Sequence, residues 1–150
     1  MATAERKIEF KADLSWDGKS GAEVSLGKSS NLHVDIPREF GGEGKYLCPD
    51  DLFFSAIGGC LLTTFLYMRR KLEFNMKSLR VVVNGDVQSK GPEGFRVTGV
   101  RVNLSVETDS EGEVEARKCI EMTEKFCHIT RSIEKAIPIR ILSNVVVKKQ

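Results

Sequence analysis

An α+β fold is the class that this 150-residue sequence predicts, and three observations predict it. Period-two alternation of apolar and polar residues fills the first third and returns in two long stretches from Ser78 onward. One apolar run, Leu52 to Met68, is closed by acidic residues before it and by "RRK" after it. A later charged segment carries its apolar residues at helical spacing. The expected order is βββαββααβ in one domain over residues 1–150, with antiparallel sheets around a long buried central helix.

Each element has a local cause. "KIEFKADLSW" alternates, "WDGKSG" is a Gly/Asp turn, "AEVSL" alternates again, and "NLHVDI" follows the turn "GKSS". "PREFGGEGKYLCP" concentrates glycine and proline and reads as a loop. The helix then opens at Pro49, whose fixed φ suits a first helical position, with Asp50 and Asp51 at the positive end of the helix dipole. From Pro49 to Leu72 it would run roughly 36 Å at 1.5 Å per residue. Its apolar residues cover nearly the whole circumference, so it must be buried all round. A domain of this size has difficulty enclosing it, which predicts a homodimer with its helices crossing at Gly58 and Gly59.

"SLRVVVNGDVQ" and "FRVTGVRVNLSVET" form a hairpin through "SKGPEG". "DSEGEVEARKCIEMTEKF" is an amphipathic helix, "HITRSIEKAIP" a short one halted at Pro138, and "IRILSNVVV" a closing strand.

Composition limits the function classes. Lys and Arg total 23 against 21 Asp and Glu, a net charge of +2 with the signs scattered. That pattern predicts neither a nucleic-acid nor a membrane partner. "MATAERKIEFKADLSW" has no apolar signal core, and a cytoplasmic protein is expected. The four cysteines, Cys48, Cys60, Cys119 and Cys127, form no CxxC pair, which argues against a zinc site or a secreted disulfide framework.

The cysteines differ in setting. Cys60 lies within the apolar helix, with Thr63 and Thr64 a turn away. Cys127 falls where one helix ends and "HITRSIEK" begins, with Arg131 one turn on; both features favour a thiolate. Cys119 sits on an amphipathic face and reads as core.

In this arrangement the sequence resembles the osmotically induced protein C and organic hydroperoxide resistance proteins, the OsmC/Ohr family. The resemblance is carried by "DIPREFGGEG", by "PDDLFFSAIGGC" where the family has Pro, acidic residues, an apolar run and its first cysteine, and by "CHITRSI" where it has Cys-Pro-x-Ser. It implies an intertwined α+β homodimer with reactive sites at the subunit interface. It also implies a thiol peroxidase in which Cys60 attacks an organic hydroperoxide and becomes a sulfenic acid, and Cys127 resolves it as a disulfide. No bound cofactor is implied. An external thiol reductant protein, of lipoyl type in some members, would restore the thiols. Phe53, Phe54, Phe65 and His128 would help to line an apolar substrate pocket.

The chain departs from the family at the activating pair. Lys19 stands where the peroxide reductases have an arginine, and Asp50 where they have a glutamate. Lysine keeps the charge without the planar fork, and aspartate is one methylene shorter. Asp50 also lies roughly 15 Å from Cys60 along one helix, so a contact needs an intermediary or a second subunit. Arg38 is a second candidate for the guanidinium, or one half of a loop ion pair with Glu39. His128 replaces the family's proline. Two other readings follow: a non-catalytic protein binding a small apolar ligand at the dimer interface, and a metal site on Cys60, Cys127 and His128.

Overall fold

Proline at the first helical position and an aspartate two residues later set the start of the longest element. The computed structural model describes residues 7–27 and 31–149. The chain divides into two compact units, Met1–Leu52 and Phe53–Gln150. The turn "GKSS" beyond Gly27 and the first six residues of the N-terminal segment lie outside the described residues.

The N-terminal unit holds an antiparallel meander, β1 (Asp13–Trp16), β2 (Gly21–Ser25) and β3 (Leu32–Asp35), in that spatial order. Trp16 pairs with Ala22, and Val34 with Ala22 on the other side. β1 is shorter than its alternation suggests: residues 7–12 are not in a strand. Gly42 is required after the short 3-10 turn Arg38–Phe40, since a Cβ there would overlap the Ile36 carbonyl. Asp35 organises this loop, accepting from the Ser20 hydroxyl at 2.6 Å and the Lys45 amide at 2.8 Å.

Helix α1 (Pro49–Leu72) starts at the predicted residue. Asp51 accepts a hydrogen bond from the Cys48 amide at 3.0 Å, satisfying a donor that the helix leaves open.

In the second unit, β4 (Met76–Ser89) and β5 (Phe95–Thr108) form the expected hairpin. Helices α2 (Glu113–Phe126) and α3 (His128–Ile133) then lead to β6 (Ile139–Val147), which lies parallel to β5. The crossover connection makes parallel pairing possible, whereas a short turn would have forced an antiparallel pair. Val100, Val102, Leu104 and Val106 project to one face of β5 and are buried. α1 and α2 meet that face in two clusters. Phe65, Met68, Phe74, Leu104, Ala116 and Cys119 belong to one; Ile57, Cys60, Leu61, Val100, Val102 and Cys127 belong to the other.

Between β5 and α2, Asp109 holds the turn together. It accepts from the Asn75 side chain at 2.8 Å and from the Gly112 amide at 3.0 Å.

Two expectations for α1 change. It is not buried all round in this chain: Ala56, Gly59, Thr63 and Tyr67 are exposed along one face. Gly58 and Gly59 also have different roles. A Cβ on Gly58 would come within 2.9 Å of Val83, so that glycine admits β4 of the same chain, while Gly59 faces open space. α1 is long and apolar enough to cross a membrane by length and composition, a test that core helices of soluble proteins also pass.

Candidate active site

A helical cysteine takes its environment from the residues one turn to either side. For Cys60 these are Ile57 on one side and Thr64 on the other; Ile57 and the adjacent Leu61 are fully buried, and Cys60 itself is 7% exposed. Cys127 reaches the same cluster from the joint between α2 and α3, where its extended backbone (φ −63°, ψ 107°) ends one helix and begins the next. Its amide donates to the Thr123 carbonyl at 2.9 Å, and its carbonyl accepts from the Arg131 amide and the Thr130 hydroxyl. The two thiols, far apart in sequence, therefore lie together in one apolar core. Both are free.

Burial pushes the Cys60 thiol above the ordinary cysteine range. The Cys127 thiol adds to the rise, while the Ile129 amide and the Thr64 hydroxyl act against it. His128 stands beside the same sulfur: Sγ of Cys60 is 3.6 Å from Nδ1 and 4.0 Å from Nε2. The imidazole is otherwise exposed. A second thiol and an imidazole thus each lie beside the Cys60 sulfur, an arrangement suited to nucleophilic sulfur chemistry followed by disulfide formation.

The aromatic residues divide. Phe53 and Phe54 pack beside the Cys60 cluster with their rings edge to face, 5.5 Å between centroids. Phe65 does not join them. It is fully buried in the other cluster, edge to face with Phe74, because it lies more than a turn beyond Cys60 and faces α2.

Lys19, Arg38 and Asp50 lie in the N-terminal unit, each with a local setting. Lys19 is an exposed turn residue whose amide donates to Asp17 and whose carbonyl accepts from the Trp16 indole. Arg38 donates from Nε to the Glu43 carbonyl at 3.0 Å, so its loop partner is a backbone oxygen rather than the Glu39 carboxylate. Asp50 accepts a hydrogen bond from the Cys48 thiol at 3.2 Å. That thiol is raised by burial; the Asp50 amide acts against the rise and the Asp50 carboxylate adds to it. Cys119 is fully buried, donates to the Phe65 carbonyl at 3.4 Å, and is pushed up to about 11 by burial. Among the described residues no group of three His, Cys, Asp or Glu side chains is arranged to hold a metal ion.

Sequence reasoning placed His128 in a pocket wall or, with Cys60 and Cys127, in a metal site; the structure keeps the neighbourhood of His128 and Cys60 and gives it as a direct sulfur–imidazole contact, with no three-ligand group among the described residues. The available signal was adjacency: whatever brings Cys127 to Cys60 also brings residue 128.

The α+β frame is that of solved OsmC-like proteins. The chain belongs to the OsmC-like protein family, whose profile matches residues 42–142. An uncharacterized protein of Acinetobacter baylyi is 25% identical over 123 residues, covering 81% of this chain and 83% of its own length. Among solved structures, an organic hydroperoxide resistance protein OsmC of Legionella pneumophila superposes with a TM-score of 0.71 at 19% identity, covering 95% of this chain and 100% of that one. An organic hydroperoxide resistance protein of Elizabethkingia anophelis gives 0.72 at 17% identity, covering 99% and 100%.

Proposed function

We propose that this protein is a thiol-dependent peroxidase that reduces organic hydroperoxides, alkyl or fatty-acid, in oxidative stress defence. The observation that carries the reading is the pair Cys60 and Cys127, brought into one buried cluster from a helix and a helix joint. Names of structural neighbours, organic hydroperoxide resistance proteins of Legionella pneumophila and Elizabethkingia anophelis, support the same class of chemistry.

In this mechanism the Cys60 thiolate attacks one oxygen of the peroxide, the O–O bond breaks, and an alcohol leaves. The resulting Cys60 sulfenic acid condenses with the Cys127 thiol, forming a disulfide and releasing water. An external dithiol, of lipoyl type, reduces the bridge. Phe53 and Phe54 give the site an apolar wall suited to alkyl chains. The working form is a cytoplasmic homodimer in which the bare face of α1 along Ala56, Gly59 and Thr63 meets a second copy.

A second reading is favoured by the raised Cys60 thiol: a protein that binds a small apolar ligand at the dimer interface without turnover.

Incubation of the reduced protein with cumene hydroperoxide and a dithiol separates the two. Peroxide loss together with an intact-mass decrease of two hydrogens in the absence of dithiol, both abolished in Cys60→Ser, supports the peroxidase. Thiols that persist in excess hydroperoxide would refute it.

A further inference from the structure

We propose that His128 is the acid–base partner of Cys60, taking the thiol proton and returning it to the departing alkoxide. The inference rests on the peroxidase reading for its substrate, but the pairing itself stands on geometry. Sγ of Cys60 lies 3.6 Å from Nδ1 of His128, within reach of an S–H···N or N–H···S hydrogen bond.

The surroundings leave this role to few groups. The walls packed on Cys60 from α1, β5 and the flanking strands are apolar, with Ile57, Leu61, Val100 and Val102 beside Phe53 and Phe54, and the Thr64 hydroxyl is the neutral polar group that meets the sulfur. Among the described residues, the ionisable groups that the structure puts against the sulfur are Cys127, on the joint before α3, and His128 itself. Cys127 makes ionisation harder rather than easier. A buried thiol without a proton acceptor is a poor nucleophile, because the thiolate is the attacking species. An imidazole is the side chain whose ordinary range allows it to accept and release a proton near neutral pH. The exposed outer edge of His128 also lets it exchange that proton with water.

The step balances. The Cys60 proton moves to His128, giving a thiolate and an imidazolium. Thiolate sulfur forms a bond to the distal peroxide oxygen while the O–O bond breaks, so sulfur is oxidised to sulfenic acid and the peroxide reduced to alkoxide. The imidazolium protonates the alkoxide, releasing the alcohol and regenerating neutral His128. Disulfide formation with Cys127 and reduction by the external dithiol complete the cycle.

The test uses the full chain and the variants His128→Asn, His128→Gln and His128→Ala, each checked for folding by urea denaturation. Iodoacetamide labelling of Cys60 is followed site by site by mass spectrometry between about pH 5 and 9. Both amide variants are expected to label Cys60 at least about tenfold more slowly at neutral pH and to change the shape of the pH profile. Cumene hydroperoxide reduction should fall by about 10²-fold, with part of the rate restored in His128→Ala by added imidazole. Labelling profiles unchanged in both folded amide variants would overturn the assignment. Wild-type protein that labels as expected but leaves the hydroperoxide intact would support the pair and refute the peroxidase reading instead.

Discussion

The ring of Phe54 lies on the backbone of Gly85, in space that any Cβ at that strand position would occupy. An interior glycine weakens a strand, and here it makes room for an aromatic wall beside Cys60. Gly85→Ala is therefore expected to push Phe54 from its seat and destabilise the fold by about 1–3 kcal/mol. Urea denaturation checks the loss, and Phe54→Leu in the same background should recover part of it.

Gly58 and Gly59 give opposite expectations although they are neighbours. Gly58→Ala presses on Val83 and should lower the unfolding midpoint. Gly59→Leu meets open space within one chain, so it should leave the fold intact while breaking a dimer formed on this face. Light scattering after size-exclusion chromatography reads the difference. A dimer that survives Gly59→Leu would place the subunit contact elsewhere.

Cys119 should be chemically silent. With its thiol raised to about 11 and its side chain fully buried, it is expected to resist iodoacetamide at pH 8 until the chain unfolds. Cys119→Ala should keep hydroperoxide turnover while losing stability, by about 1 kcal/mol, through lost packing. Peptide-level alkylation in native buffer and in urea distinguishes the two states.

Acid should loosen the turn before α2. The Asn75 side chain, followed by the Gly112 amide, lowers the Asp109 carboxyl below its ordinary range. A carboxyl depressed in the folded state contributes stability that is present above its unfolded pKa and is lost as pH falls through the folded one. Asp109→Asn is therefore expected to reduce stability at neutral pH and to flatten its decline on acidification. Denaturation midpoints across the carboxylate range test this.

Much of the frame was legible because its signals are local. Pro49 with Asp51 marks the helix start, and the alternation from Val97 to Val106 marks the buried face of β5, whereas α3 ends at Ile133, before the stop expected at Pro138. The parallel pairing of β6 was not legible, since register with β5 depends on how the two intervening helices return the chain. At the site, Cys60 and Cys127 were identified by residue type, position and family resemblance. The facing of Phe65 toward Phe74, the inward turn of Gly58 and the approach of His128 to sulfur depend on tertiary packing. Sequence spacing cannot distinguish one side of an almost wholly apolar helix from another. The partner of Asp50 was hidden for a different reason: it is the nearby Cys48 thiol, where charge matching had pointed to a cation.

The joint at Cys127 has one more implication. Hydrogen bonds to its own amide and carbonyl anchor this residue between two helices, while Cys60 belongs to a third. A bond between their sulfurs would tie almost half the chain into a closed loop and add about 4 kcal/mol against unfolding. The spent protein, awaiting its reductant, would be the most robust form in the cycle, and each reduction would return it to a softer one. Melting curves before and after one equivalent of hydroperoxide measure that alternation, with a higher midpoint expected for the oxidised protein.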